Sequence, residues 1–200
     1  HILQNKHKII EIIYPNKPDT PFKRQHPNTL INQQNQAPDL IIAFDTANYD
    51  RLYYPDAFKS IPLINIDHHV SNSITGLHNV VDATASSTCE VLYVLLQEWD
   101  AQSIDRQVAE LLLMGILYDS ITFRTQSTSA RTLHSAAKPL DFGSNLYELK
   151  NELSASHTIE AIRFWGTILS KLTVSTNKKA AWVSVTQQDL AAAGVTSKAL

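Results

Sequence analysis

Two short apolar runs, each ending in an acidic residue, place the strongest constraint on how this chain can fold. Residues 40–44 (LIIAF) run directly into Asp45, and residues 63–66 (LINI) run directly into Asp67. A continuous apolar run of this length is typical of a parallel strand that is buried on both faces. Because the carboxyl ends of parallel strands meet at one edge of a sheet, we expect both carboxylates at that edge.

Helical patterns follow the second run. Apolar residues spaced by three and four predict helices at 88–99, 104–117, 127–137 and 158–171. Ser87 and Glu90 fit a capping box at the start of the first helix, and Ser103 is the expected N-cap of the second. Pro139 and Gly143 should end the third. The predicted apolar stripe of the fourth consists of Ile162, Trp165, Leu169 and Leu172.

The flanking segments have different patterns. Residues 8–13 predict a strand, and the polar, proline-rich residues 14–38 predict a loop with at most one helical turn at 29–32. Residues 172–185 predict a hairpin that turns at 177–179, and a short helix at 187–193 should stop at Gly194.

Strands that alternate with helices predict an α/β fold with a mostly parallel sheet flanked by helices. We assign residues 1–150 to this domain and 151–171 to a connector helix. Residues 172–200 then form the beginning of a second, small α+β domain.

Composition excludes several classes of function. The net charge of −2 provides no basic field of the kind that coats duplex DNA. No apolar run approaches the roughly 18 residues of a membrane span. The single cysteine, Cys89, cannot form an internal disulfide, which favours a reducing, cytoplasmic compartment.

Acidic and histidine side chains gather at the predicted sheet edge. Asp45 ends one strand, Asp67, His68 and His69 end the next, and Asp119 follows a predicted helix. Since an isolated buried charge is costly, a metal ion would explain carboxylates at buried strand ends. Oxygen and imidazole ligands suit Mn²⁺ or Mg²⁺, or a borderline ion such as Zn²⁺. The plainer alternative is that each aspartate forms a turn or caps a helix.

Four motifs in this order resemble the DHH family of metal-dependent phosphoesterases. They are residues 45–48 (DTAN) with Arg51, the triplet Asp67-His68-His69, residues 82–87 (DATASS) with Glu90, and residues 115–120 (GILYDS) with Phe123 and Thr128. The resemblance covers about residues 40–135, and four motifs at matching spacing are far more specific than the triplet alone.

The resemblance implies a role for each matching residue. Asp45 would bridge two Mn²⁺ ions, with Mg²⁺ as the alternative, and His68 and Asp119 would complete the shell of one. His69 would contact the scissile phosphate or its leaving group, and Asp67 would orient a ligand histidine. Lesser candidates for phosphate contact are Arg51, Ser86, Ser87 and Arg124.

The nearest group within the family hydrolyses very short RNA and nucleotide 3′-phosphates such as 3′-phosphoadenosine 5′-phosphate (pAp). The resemblance therefore implies a short-RNA or nucleotide-phosphate substrate. Alternatives are an inorganic pyrophosphatase, a cyclic-dinucleotide phosphodiesterase, or a non-catalytic nucleotide-binding module.

Two family features have no match here, an N-terminal motif of one histidine and two aspartates and a C-terminal glycine-rich motif. We expect a chain cut at both ends, which alone binds at most one divalent ion weakly and has no useful catalysis.

Overall fold

The computed structural model describes residues 12–14, 29–31, 38–52, 56–154 and 159–195. The chain divides into two compact units, residues 1–150 and 151–200. The first unit contains parallel strands and helices, as expected for an α/β protein, and each unit is described by itself below. Among the described residues, no helix combines the length and apolar character that crossing a bilayer requires.

A three-stranded parallel sheet positions the acidic residues. Its order is β3 (Ile41–Phe44), β4 (Leu63–Asp67), β5 (His78–Val81). The backbone N–H of Asp45 donates to the Ile66 carbonyl at 3.1 Å and so carries the pairing past the end of β3. Strand β5 was not predicted, because its four residues are mostly exposed and form no apolar run.

The central strand β4 has two chemically different faces. Ile64 and Ile66 pack with Val91 of the first helix, whereas Asn65 and Asp67 point to the opposite face and are fully buried. Alternation along a strand sends successive side chains to opposite sides, so two polar residues two apart share a face. Burial of that face removes Asp67 from solvent.

Strand β3 is less buried than the sequence predicted. Only Ala43 is buried, and Leu40 and Phe44 are 43% and 48% exposed. Within the described residues β3 pairs with β4 alone, so one of its edges has no described neighbour. Burial of a strand on both faces depends on what packs against it, which the apolar run does not specify.

Two short strands precede the main sheet. Strand β1 (Ile12–Tyr14) pairs in parallel with β2 (Thr29–Ile31). The helical turn predicted at 29–32 is therefore wrong over Thr29–Ile31. A strand partner more than a dozen residues away decides between the two conformations, and a local pattern cannot reveal it. The predicted strand residues 8–11 lie outside the described residues.

Helix α1 (Thr88–Asp100) begins as predicted, but its cap differs in one respect. The Ser87 hydroxyl accepts a hydrogen bond from the Glu90 N–H at 3.1 Å. The Glu90 carboxylate does not return to the Ser87 backbone as a capping box requires. It accepts instead from the backbone N–H of Ser86 at 2.8 Å, one residue earlier.

Helix α2 (Arg106–Asp119) starts later than predicted. Its N-cap is Asp105, whose carboxylate accepts from the Val108 N–H at 2.8 Å, whereas Ser103 ends a preceding 3₁₀ turn. Gly115 permits close packing on α1, because a Cβ there would lie 2.2 Å from the Cys89 Sγ. This close approach brings the last turn of α2, with Asp119, beside the start of α1.

Helix α3 (Ala130–Asp141) differs from its prediction at both ends. Ser129 is the N-cap and forms a capping box with Thr132. Pro139 lies inside the last turn and is buried, so it does not end the helix as predicted. Proline removes one backbone hydrogen bond of the helix, and the packing of its buried ring compensates for that loss. Gly143 follows with a φ of 87°, and the unpredicted helix α4 (Leu146–Ser154) comes next.

The second unit contains helix α5 (Ile159–Ser170), a hairpin of β6 (Thr173–Val174) and β7 (Ala181–Trp182), and helix α6 (Gln187–Ala193). Gly194 stops α6 at a φ of 66°, as predicted. The predicted stripe of α5 is wrong, since Ile162 and Leu169 are 60% and 59% exposed. Ala161, Phe164 and Ile168 are buried instead. Leu190 of α6 packs on Phe164 and Ile168, together with Val183 and Val185 from the segment between β7 and α6.

Candidate metal centre

Asp45 turns the chain out of the sheet in a strained conformation. Its φ is 55°, in the left-handed region that costs an ordinary residue roughly 1–2 kcal/mol. Aspartate and asparagine tolerate this region better than most side chains, and such strain concentrates at functional sites. The side chain is 54% exposed, so the carboxylate stands at the surface of the sheet edge.

Asp67 is fully buried and every contact orients it. Its Oδ1 accepts from the His68 N–H and faces the His69 Nδ1, both at 2.7 Å. Its Oδ2 accepts from the Asn72 side-chain amide at 2.5 Å. Burial alone would raise the pKa of Asp67, but the bonds from His69, Asn72 and the backbone outweigh it and lower the pKa. Asp67 is therefore a carboxylate that holds His69 with its proton on Nδ1.

His68 faces the two remaining carboxylates. Its Nδ1 lies 3.3 Å from the Ala85 carbonyl, to which a protonated Nδ1 donates. That tautomer leaves the Nε2 lone pair directed at Asp45 and Asp119, whose nearest oxygens are 3.6 Å and 3.9 Å away. These distances are too long for hydrogen bonds. Neighbouring ligands of an octahedral ion lie about 3 Å apart, so a modest contraction would seat a cation between them.

Asp119 is the last residue of α2, and both burial and a neighbouring carboxylate disfavour its ionised form. Burial, followed by the negative charge of Asp45, raises the pKa of Asp119. A divalent cation would relieve both effects, because it replaces lost hydration and separates the two carboxylates.

The donor set fits a hard or borderline divalent ion. Single ligand atoms of Asp45, Asp67, His68 and His69 all lie within 4.8 Å of one another. Within this group the Asp67 carboxylate is already bonded to His69 and Asn72. Asp119 lies outside the group, but its carboxylate, like that of Asp45, faces the His68 Nε2. Oxygen and imidazole ligands without thiolate suit Mn²⁺, Mg²⁺ or Zn²⁺.

The segment after Asp119 is also strained. Ile121, Thr122 and Phe123 have φ values of 47°, 58° and 65°. Three successive non-glycine residues in the left-handed region are unusual, and two of these are β-branched. Ser120 stabilises the turn, because its buried hydroxyl donates to the Ile116 carbonyl and accepts from the Phe123 N–H.

The two serines proposed for phosphate contact form hydrogen bonds within the start of α1. Ser86 and Ser87 are 2% and 0% exposed. The Ser86 hydroxyl donates to Glu90 at 2.7 Å, and the Ser87 hydroxyl caps α1. Both side chains support the helix start, and the burial of their hydroxyls argues against direct contact with a phosphate.

Glu90 is the centre of a buried network that joins three elements. Besides Ser86, its carboxylate accepts from Thr132 at 2.9 Å and from the Arg131 Nε at 2.7 Å. Arg131 also donates to Asp82 at 2.7 Å. The matched motif that contains Glu90 therefore holds α1, α3 and the turn after β5 together.

The two candidate arginines are exposed and lie outside the ligand cluster. Arg51 ends a 3₁₀ turn, where its backbone N–H donates to Asn48. The Arg124 Nε donates to the Ile121 carbonyl at 2.9 Å. Both guanidinium groups keep further donors, so phosphate contact by either stays a prediction.

Two residues near the site were missed by sequence reasoning. The Thr88 hydroxyl donates to the Asp45 Oδ1 at 2.8 Å. Asn72 joins Asp67 to the Thr46 carbonyl, and it accepts from Asn65 at 3.1 Å. Thr88 lies beside a matched motif and Asn72 lies five residues after Asp67, but only the tertiary contacts reveal what either does.

Comparison with known proteins places these motifs in context. The sequence matches the DHH family, N-terminal domain, over residues 1–116. It is 31% identical over 143 residues to the bifunctional oligoribonuclease and PAP phosphatase NrnA of Bacillus subtilis, a match that covers 69% of this chain and 44% of that protein. The chain thus aligns with less than half the length of that relative.

Solved structures share the fold. An exopolyphosphatase-related protein from Bacteroides fragilis superposes with a TM-score of 0.87 at 21% identity, covering 100% of this chain and 63% of that one. A Methanococcus jannaschii protein assigned to the family II inorganic pyrophosphatases gives a TM-score of 0.56 at 19% identity, covering 74% of this chain and 51% of that one.

Proposed function

Because the chain belongs to the DHH family, we propose that its site hydrolyses phosphate esters with the help of bound divalent ions. One observation carries this proposal: at the carboxyl ends of two parallel strands, the His68 Nε2 lies 3.6 Å from an Asp45 oxygen and 3.9 Å from an oxygen of Asp119, the last residue of α2. These residues come from three different segments, so capping or turn formation at each one separately does not explain their convergence.

Each residue has a distinct task in the proposed site. Asp45, His68 and Asp119 would hold a divalent ion, for which Mn²⁺ is the first candidate and Mg²⁺ the second. When bound, such an ion lowers the pKa of a coordinated water and neutralises phosphate charge. His69 is held through Nδ1 by Asp67, so its Nε2 is the nitrogen available to the scissile phosphate or its leaving group.

We propose short oligoribonucleotides and nucleotide 3′-phosphates such as pAp as the substrates. The support is the likeness to NrnA, whose name states both activities. A net charge of −2 is compatible with a short ligand held by metal ions, since no broad basic surface is available. The pyrophosphatase likeness shows the fold alone and does not favour pyrophosphate.

The domain assignment and the location are part of the same proposal. Residues 1–150 would be the catalytic DHH domain, 151–171 a connector, and 172–200 the beginning of a substrate-binding domain. The location would be the cytoplasm, a reducing compartment, because the single cysteine cannot form an internal disulfide.

A substrate panel tests the proposal. Protein expressed from the complete gene is incubated with Mn²⁺ and, separately, pAp, a ribodinucleotide, a cyclic dinucleotide and pyrophosphate. We expect turnover of the first two and its loss on chelation. Turnover of only the last two would overturn the substrate class. Binding of nucleotides without turnover of any substrate would overturn the enzymatic function and favour a binding module.

A further inference from the structure

Thr88 is a neutral residue whose side chain contacts a candidate metal ligand. Its hydroxyl donates to the Asp45 Oδ1 at 2.8 Å, although 43 residues separate the two in sequence. Among the described residues, this is the one hydrogen bond to the Asp45 carboxylate. We propose that Thr88 is a positioning residue that fixes the Asp45 carboxylate for metal binding, an inference that rests on the proposed metal site.

Asp45 needs such a partner because the backbone does not fix its side chain. The Asp45 side chain is 54% exposed, so without a bonded partner it could adopt several staggered rotamers. Holding one oxygen selects a single rotamer before the ion arrives. The side chain then loses its conformational entropy when the protein folds and not when the ion binds, so the affinity for the ion is higher.

Thr88 is a rigid donor. It is 5% exposed and is the first residue of α1, directly after the N-cap Ser87. Glu90 fastens the same turn, since it accepts from both the backbone N–H and the hydroxyl of Ser86. The buried network of Glu90 therefore acts on Asp45 through the position of Thr88.

The bond also leaves the ligating capacity of Asp45 intact. A carboxylate oxygen has two lone pairs, so Oδ1 can accept from Thr88 and still contact a cation. The same oxygen lies 3.6 Å from the His68 Nε2, which places it on the side of the proposed ion. Hydrogen bonds to ligating carboxylates commonly tune metal affinity by 10–100-fold, roughly.

Three variants separate this role from simple packing. Thr88→Val keeps the shape and removes the hydroxyl, whereas Thr88→Ser keeps the hydroxyl and removes the methyl group. Thr84→Val is the matched control, because the Thr84 hydroxyl donates to a carboxylate, Asp82, at 2.6 Å, and Asp82 is not a candidate ligand. Thr88→Ala provides a second hydroxyl-free protein if the valine variant does not fold.

The measurements are calorimetric titration with Mn²⁺, the Mn²⁺ electron paramagnetic resonance spectrum, and thermal unfolding without metal. We expect Mn²⁺ affinity to fall about tenfold in Thr88→Val and Thr88→Ala and to stay near wild type in Thr88→Ser and Thr84→Val. Wild-type affinity in the hydroxyl-free variants would overturn the inference. Equal weakening in Thr88→Ser and Thr88→Val would also overturn it, because packing would then be the cause. Absence of Mn²⁺ binding by the wild type would refute the metal site itself, and the role of Thr88 with it.

Discussion

The Oδ1 atom of Asp67 lies 2.7 Å from the Nδ1 atom of His69, and Asp67 has no solvent exposure. The bond distinguishes His69 from the neighbouring His68. His69 is oriented by a carboxylate through Nδ1, whereas His68 directs Nε2 toward Asp45 and Asp119. The two Nδ1 atoms therefore have different partners, the Ala85 carbonyl for His68 and the Asp67 carboxylate for His69.

The first prediction follows from this division. His68→Ala should lower metal occupancy because a ligand is lost, whereas His69→Ala should leave occupancy nearly intact and slow the chemical step. Elemental analysis and steady-state kinetics of both purified variants measure this. His78→Ala, which removes an exposed histidine of β5, is the control and should change neither quantity. Equal metal loss in the His68 and His69 variants would contradict the assignment.

The second prediction concerns Asp45. Asp45→Asn should lower turnover by several orders of magnitude, because the amide cannot supply the negative charge of the proposed metal ligand. Asparagine also tolerates a left-handed φ, so the fold should persist and the loss should be chemical. Asp50→Asn, an exposed acidic position five residues later, should behave as wild type. Retention of more than about a tenth of wild-type activity at saturating Mn²⁺ would contradict the proposed role of Asp45 as a metal ligand.

The third prediction tests the strained turn after Asp119. Ile121→Gly should be more stable than Ile121→Ala by about 1 kcal/mol, because glycine adopts a positive φ without a Cβ penalty. At Leu133, an exposed position of α3, the order should reverse by about 1 kcal/mol in favour of alanine. Urea unfolding of the four variants measures both differences. The same order at both positions would show that the turn does not hold Ile121 in this conformation.

The fourth prediction links Glu90 to acid stability. Burial alone would raise its pKa, but hydrogen bonds from Ser86, Arg131 and Thr132 hold the pKa below its ordinary value. A depressed folded-state pKa contributes stability that is present above the unfolded value, about 4.3, and is lost as pH falls through the folded value. The free energy of unfolding of the wild type should therefore fall more between pH 5 and pH 3, roughly, than that of Glu90→Gln.

The glutamine variant itself should be less stable at neutral pH by about 1–3 kcal/mol, because it loses charged hydrogen bonds in a buried network. Urea titrations at several pH values separate this offset from the pH slope. Glu98→Gln, on the exposed face of α1, should retain the wild-type slope. An unchanged slope in Glu90→Gln would show that the network does not act through the ionised form.

Much of the local structure was determined by the sequence itself. The start of α1 at Thr88 and the stop of α6 at Gly194 follow from capping chemistry, and two apolar runs predicted strands β3 and β4. These features depend on neighbours in sequence, whose preferences survive in any compatible fold.

The tertiary structure decided which surfaces are covered and which side chains meet. It exposed the predicted stripe of α5, placed Pro139 inside α3, and joined Thr88 to Asp45. Burial and hydrogen bonding between distant segments depend on the packing of whole elements, and periodicity specifies only that a helix has an apolar side. For the same reason the sequence could place aspartate and histidine at one sheet edge, but not show which oxygen or nitrogen faces which partner.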